Sequence, residues 1–175
     1  MNAIVGVARA LDFAARKHSG QRRKGVQAEP YVNHLTEVAL LLAEATDGAD
    51  PALVMAGLLH DTIEDTDTTR EELAAAFGEE VASLVVEVTD DTSLDRESRK
   101  RMQVQTAPTK SRRARMIKIA DKIANLRSIA ESPPVGWSTR RKQEYVAWAR
   151  EVVAACGHTN DVLERLFEEA AAAQP

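Results

Sequence analysis

Four side chains that bind metals or move protons close the stretch Pro51-Ala-Leu-Val-Met-Ala-Gly-Leu-Leu-His-Asp-Thr-Ile-Glu-Asp65, namely His60, Asp61, Glu64 and Asp65. From Ala52 to Leu59 the stretch has no polar side chain, which is too short for a membrane span and right for a buried helix. Carboxylates buried without a partner are costly, so a cation or strong hydrogen-bond donors are expected to meet them. On a continuous helix His60 and Glu64 share a face, and so do Asp61 and Asp65. The bland alternative is a helix end with solvated acids.

The elements that must position these groups are read as helices. Residues 2–18 form an amphipathic helix with Ile4, Ala8, Leu11 and Ala15 along one stripe. The loop 19–30 follows, broken by Gly20, Gly25 and Pro30, with Arg22, Arg23 and Lys24 between them. It is either a solvated basic loop or a phosphate-binding one. Tyr31-Val-Asn-His34 leads into an apolar helix over 35–44, where His34 alone reads as an ordinary core histidine. Asp50-Pro51 starts the next helix with an N-cap acid and Pro at its first position. Thr68-Thr-Arg-Glu71 has capping-box form and starts a short helix ending near Gly78, with another helix from Glu79 to about Val88.

Asp95 to about Thr106 is a charged helix, and Pro108 breaks the chain. The longest helix runs from Lys110 to about Ala130. Its expected core side is Met116, Ile119, Ala120, Ile123, Leu126 and Ala130, with Ile129 supplying bulk in the last turn. Lys118, Asp121, Lys122 and Asn125 form a second stripe, which taken alone reads as a wet surface. Residues 139–156 and 160–173 make two further helices, and the tail 170–175 is expected to fray.

Length and composition fit one all-α domain over 1–175, since aromatics are 4% of the 175 residues and Gly and Pro are few. The net charge of -4 argues against a general nucleic-acid binder, but the charge is unevenly placed. Asp61 to Glu97 holds thirteen acids and two bases, whereas Arg99 to Ala120 holds eight bases and no acid. Phe13 to Ala28 adds five bases and no acid. Such segregation can aim a positive cleft at a small polyanion while the protein stays acidic overall. The single Cys156 excludes an intrachain disulfide and fits a reducing cytosol. No signal peptide or transmembrane stretch is visible, so a cytoplasmic location is expected.

His34, then His60-Asp61, then Asp121 on a distant helix resembles the H…HD…D pattern of the HD phosphohydrolases. The likeness extends to Gln21-Arg-Arg-Lys24, Tyr31-Val-Asn-His34, Leu58 to Thr66, Glu87-Val-Thr-Asp-Asp91 and Ile119 to Arg127. Together these look like the hydrolase domain of the RelA/SpoT alarmone enzymes, nearest the single-domain small alarmone hydrolases that include the metazoan SpoT homologue. The resemblance runs from about Phe13 past Trp148. It implies an all-helical HD fold and hydrolysis of (p)ppGpp at its 3′-diphosphate, giving pyrophosphate and GDP or GTP, usually with Mn²⁺.

His34, His60, Asp61 and Asp121 match the family's metal ligands, and Glu64 and Asp65 match the acidic pair that orients or deprotonates the attacking water. Arg23 and Lys24 match the basic loop beside the nucleotide, Asn125 a residue near the ribose, and Tyr145 a tyrosine of the pocket. Leu35 and Ala124 depart from the family pattern, which has Pro and a bulkier residue there, and neither departure removes a ligand. Two imidazoles and two carboxylates suit Mn²⁺ or Fe²⁺ better than Ca²⁺, although another divalent ion is possible. Arg23, Lys24 and Lys118 are expected to form one positive wall for the phosphates.

The resemblance leaves rivals open. A phosphatase acting on the 2′-phosphate of NADPH would meet a similar phosphate on a ribose hydroxyl. A non-catalytic nucleotide-binding HD module would signal through a partner. A cyclic-dinucleotide phosphodiesterase is disfavoured because no Gly-Tyr-Pro motif accompanies the His-Asp pair. No synthetase or regulatory domain follows, so alarmone synthesis is not expected, while oligomeric state and the facing of Arg112-Arg113-Ala-Arg115 stay open.

Overall fold

The computed structural model describes residues 2–174, and every regular element among them is helical. In chain order these are α1 (Ala3–Lys17), α2 (Val32–Ala45), α3 (Pro51–Leu59), α4 (Thr62–Asp65) and α5 (Arg70–Phe77). Then come α6 (Glu79–Val88), α7 (Arg96–Thr106), a 3-10 turn (Ala107–Thr109), α8 (Arg112–Glu131), α9 (Thr139–Cys156) and α10 (Asp161–Ala172). Two isolated antiparallel bridges, Arg22 with Pro30 and Gly25 with Pro134, shape the basic loop outside them.

Helix α3 lies at the centre because almost everything on it is apolar. It packs against α1, α2, α6 and α8 and buries Leu53, Val54, Ala56, Gly57, Leu58 and Leu59. Its start is fixed twice. Asp50 accepts from the Leu53 amide at 3.1 Å, and Arg113 of α8 grips the same carboxylate with Nε at 2.7 Å and Nη2 at 2.9 Å. At Gly57 the backbone approaches α2 so closely that a Cβ would lie 2.6 Å from Leu42 Cδ1.

The enclosed helix does not run unbroken to Asp65. It stops at Leu59, His60 and Asp61 form a turn, and α4 is a separate single turn. Side chains compete here for carbonyls that would continue the helix: His60 Nδ1 is 2.8 Å from the Gly57 oxygen, and the Thr62 hydroxyl donates to Leu59 at 2.6 Å. The Asp65 amide still reaches the Asp61 carbonyl at 2.9 Å, so the one-turn relation between the two acids survives the break.

Four other expectations change. The inward face of α1 is Gly6, Ala10 and Ala14, while Ile4 is 80% exposed and Leu11 38%. Small residues win that face because α1 lies against α3. The N-cap of α5 is Thr69, which accepts from Glu72, because the Thr68 hydroxyl pairs with Thr66 at 2.8 Å. Ala130, expected on the core side of α8, is exposed, while Ile129 is buried in the last turn as expected. The tail expected to fray over 170–175 is helical to Ala172, with Ala170 and Ala171 buried and Gln174 donating to the Leu126 carbonyl at 2.9 Å, while Pro175 lies outside the described residues.

The basic run at the start of α8 serves the fold. Arg112 donates to the Thr159 carbonyl, Arg115 to that of Cys156, and Arg113 to Asp50 and Glu80. The basic loop is likewise built. Arg23 N donates to Glu29, Tyr31 N to Gln21, and Val135 N to the Lys24 carbonyl. Gly25 is buried against Ser132, where a Cβ would overlap both the backbone oxygen and the hydroxyl. Gly25→Ala is therefore expected to cost about 1–3 kcal/mol by overpacking. Urea unfolding checks this, and an unchanged midpoint would mean that the loop gives way without loss.

Candidate active site

Three separate segments bring the metal-type side chains together. His34 stands in the first turn of α2, His60 and Asp61 in the turn after α3, and Asp121 midway along α8. His34 Nε2 lies 3.3 Å from Asp121 Oδ1 and 3.7 Å from Asp61 Oδ2. His60 Nε2 lies 3.1 Å from Asp61 Oδ2 and 3.9 Å from Asp121 Oδ1. Ligand atoms of His34, His60 and Asp121 all fall within 4.8 Å of one another, with both histidines buried.

This donor set fits a divalent ion. His60 Nδ1 faces the Gly57 carbonyl, which leaves Nε2 pointing into the site, and that buried Nε2 has no aligned hydrogen-bond partner. Two imidazoles with two carboxylates make a donor set that suits a borderline divalent metal ion. Asp61 is steadied from outside by the Tyr31 hydroxyl, which donates to Oδ2 at 2.7 Å. Asp121 is held on both oxygens, by Lys122 Nζ at 2.8 Å and Asn125 Nδ2 at 2.7 Å. Arg23 in turn donates to Asn125 Oδ1 at 2.9 Å.

The polar stripe of α8 is thus not a wet surface. Lys118 and Lys122 are buried, and the Lys122 ammonium also sits 4.5 Å from the Trp148 ring centre. Its pKa is raised, because the attraction of Asp121 outweighs burial. A second His/Asp/Glu cluster, His158, Asp161 and Glu164, is largely exposed, and Glu164 there caps the amides of Thr159 and Asn160.

The carboxylates separate into two kinds by environment. Burial pushes Asp61 up, but the neighbouring His60 and His34 charges overcome it and hold the group well below the usual range. Asp121 is also held low, with burial outweighed by Lys122 and His34. Glu64 is raised by burial and the Asp90 charge, and Asp65 by burial and the Asp61 charge. Burial opposes charge on His60, yet Asp61 and Asp121 lift it to about 9, whereas burial prevails at His34 and lowers it. Groups kept anionic suit cation binding, and carboxylates pushed upward suit proton transfer.

Two cavities meet at this point. The smaller, about 170 Å³, is lined by His34, His60, Asp61, Glu64, Asp65, Lys118 and Asp121. The larger, about 520 Å³, is lined by Arg23, Lys24, Trp137 and Tyr145 among others, and Tyr31, Asp65 and Asn125 border both. Burial raises the Tyr145 hydroxyl to about 12. Lys118 does not join Arg23 and Lys24 in one wall. It sits in the smaller cavity, paired with Asp90 at 3.0 Å.

The structure adds residues that were not singled out from sequence. Tyr31 and Asp90 both lie inside the motifs that carry the family resemblance, and their aromatic and acidic types are the available signal. Lys122 stood beside Asp121 in the polar stripe, but nothing in the sequence indicated its burial. Trp137 and Arg96 carried no signal beyond their residue types.

A family model described as "HD domain" matches residues 10–150. The chain belongs to the HD-domain family. It is 49% identical over 159 residues to the human guanosine-3′,5′-bis(diphosphate) 3′-pyrophosphohydrolase MESH1, covering 91% of this chain and 89% of that one. The Xenopus tropicalis protein of the same name is 48% identical over 155 residues, with 89% and 87% covered. Among solved structures, a metazoan orthologue of SpoT described as hydrolysing ppGpp superposes with a TM-score of 0.90 at 43% identity, covering 94% of this chain and 93% of that one. The HD domain is therefore seen in full helical detail here, and no described helix is long and apolar enough to cross a membrane.

Proposed function

We propose that this HD domain hydrolyses the 3′-diphosphate of the guanosine alarmones ppGpp and pppGpp, releasing pyrophosphate and GDP or GTP. Mn²⁺, or Fe²⁺ in its place, would be held by His34, His60, Asp61 and Asp121. The observation that carries this reading is the convergence of His34, His60 and Asp121 within 4.8 Å, beside two carboxylates of raised pKa. The relatives named for this reaction support the substrate class.

When bound, the ion supplies a Lewis acid for a phosphoryl oxygen and acidifies a water. Glu64 would take a proton from the attacking water, and Asp65 would steady that water from the border between the two cavities. The water oxygen bonds the 3′ phosphorus as the bond from phosphorus to ribose O3′ breaks, and the proton accepted by Glu64 passes on to O3′, which leaves as the ribose hydroxyl and returns Glu64 to its carboxylate form. Arg23 and Lys24 offset phosphate charge from the larger cavity, and Lys118 does so from the smaller. Asn125, on the border, would meet the ribose, and Tyr145 and Trp137, which line the larger cavity, would wall the nucleotide.

This reading orders the substrates. With Mn²⁺ at two ionic strengths, kcat/KM is expected to fall from ppGpp to NADPH to ATP, and most steeply with salt for ppGpp. Several phosphate charges gain more from the basic loop than one 2′-phosphate does, and ATP carries its phosphates only at the 5′ position. An NADPH advantage of about tenfold, or ~1.4 kcal/mol in transition-state binding, would transfer the assignment to the 2′-phosphatase. Tight binding of a nucleotide without cleavage would make the domain a receptor.

A further inference from the structure

We infer that Arg99 is a positioning residue for the reaction, acting through Glu64. The inference rests on the reading of Glu64 as the base. The Glu64 carboxylate is held at two points: Oε2 accepts from the Asp90 amide at 3.2 Å, and Oε1 accepts from Arg99 Nη1 at 3.1 Å. Glu64 itself stands on α4, a single turn of four residues with little rigidity of its own. Its aim must therefore come from neighbours, and Arg99 is the charged one that touches it.

Helix α7 delivers that contact in an unusual way. It has no buried side chain, so it is not held in place by a core. Polar contacts seat it instead: Gln103 donates to Asp90 Oδ2, and Trp148 Nε1 donates to the Lys100 carbonyl at 3.2 Å. Arg96, Arg99 and Gln103 stand at i, i+3 and i+7, which is one helical face. The first lines the larger cavity and the last lines the metal-type cavity. Arg99 lies between them and lines neither, so its contact is with Glu64 rather than with space for a nucleotide.

A fully solvated ion pair would matter little. This pair is only partly solvated, with side-chain exposures of 34% for Arg99 and 20% for Glu64, and the Arg99 Nε atom is buried without a partner. Through this single contact the guanidinium does two things. It selects one rotamer of Glu64, and it sets a positive charge against the Asp61 and Asp90 charges that act on the same carboxylate. Lys118, from α8, also acts on it as a cation.

The test is a double-mutant cycle of Arg99→Gln with Glu64→Gln, with Arg99→Lys as the conservative variant, using ppGpp and saturating Mn²⁺. Single-turnover rates, KM, Mn²⁺ affinity by calorimetry and melting temperature are measured for each. Arg99→Gln is expected to lower kcat about tenfold, as loss of one charge-assisted contact should, with KM and Mn²⁺ affinity within about twofold. Arg99→Lys should recover part of the rate. On the Glu64→Gln background the same substitution should change the rate less than about twofold, because the group it aims has lost its chemistry. Equal losses on both backgrounds, a raised KM at unchanged kcat, or no loss at all would each overturn the inference while leaving the proposed function standing. A parent protein that fails to cleave ppGpp would overturn the proposed function, and this inference with it.

Discussion

Asp121→Ala is expected to lose its divalent ion and nearly all turnover while remaining folded. Asp121 brings an anionic oxygen from α8 to a site otherwise built from α2 and the turn after α3, and no other carboxylate of α8 lines that cavity. Disturbing an outer-shell partner of a metal typically costs about 10–100-fold in affinity, so removing a direct ligand should exceed that. The substitution also strands Lys122, whose buried ammonium donates to Asp121 at 2.8 Å. Breaking a buried pair typically costs about 3–5 kcal/mol, so a lower melting temperature should accompany the loss of metal. Asp121→Asn separates the two effects, since it keeps an oxygen for Lys122 but removes the ligand's charge. Metal analysis after dialysis, alongside circular dichroism, reads both variants. Full activity without added metal in either one would sink the ligand assignment.

The site was legible where chemistry is written in residue type. His60, Asp61, Glu64 and Asp65 announced themselves by closing an otherwise apolar stretch, since carboxylates beside a buried helix need a partner. His34 and the α8 stripe did not, because one histidine or one polar face has an ordinary explanation until its neighbours are known. Periodicity chose the wrong side of α1, where Ile4 and Leu11 are large but Gly6, Ala10 and Ala14 are what fit against α3. Hydrophobicity alone does not report how near a partner helix comes. The break after Leu59 was hidden for another reason, because competition of the His60 and Thr62 side chains for backbone carbonyls leaves no mark in an apolar pattern. Lys118 was grouped with the basic loop on charge, yet its partner is Asp90, 28 residues earlier.

Glu64→Gln should keep metal and nucleotide binding close to those of the parent and slow turnover by about 10²–10⁴-fold, the usual cost of losing a general base. The amide preserves an oxygen for the Asp90 amide or for Arg99, which hold the two carboxylate oxygens at 3.2 and 3.1 Å. What it cannot do is accept a proton from water. The pH profile gives an independent check. Burial and the Asp90 charge raise the Glu64 pKa above its ordinary 4.5, so the deprotonated, active form is lost as pH falls through that raised value. The acid limb of kcat should therefore lie above the position of an unperturbed glutamate in the parent, and it should disappear in Glu64→Gln. If metal affinity instead falls in step with rate, Glu64 is a ligand. In that case the neighbouring Asp65, also raised by burial and by the Asp61 charge, becomes the base, and Asp65→Asn should remove the limb.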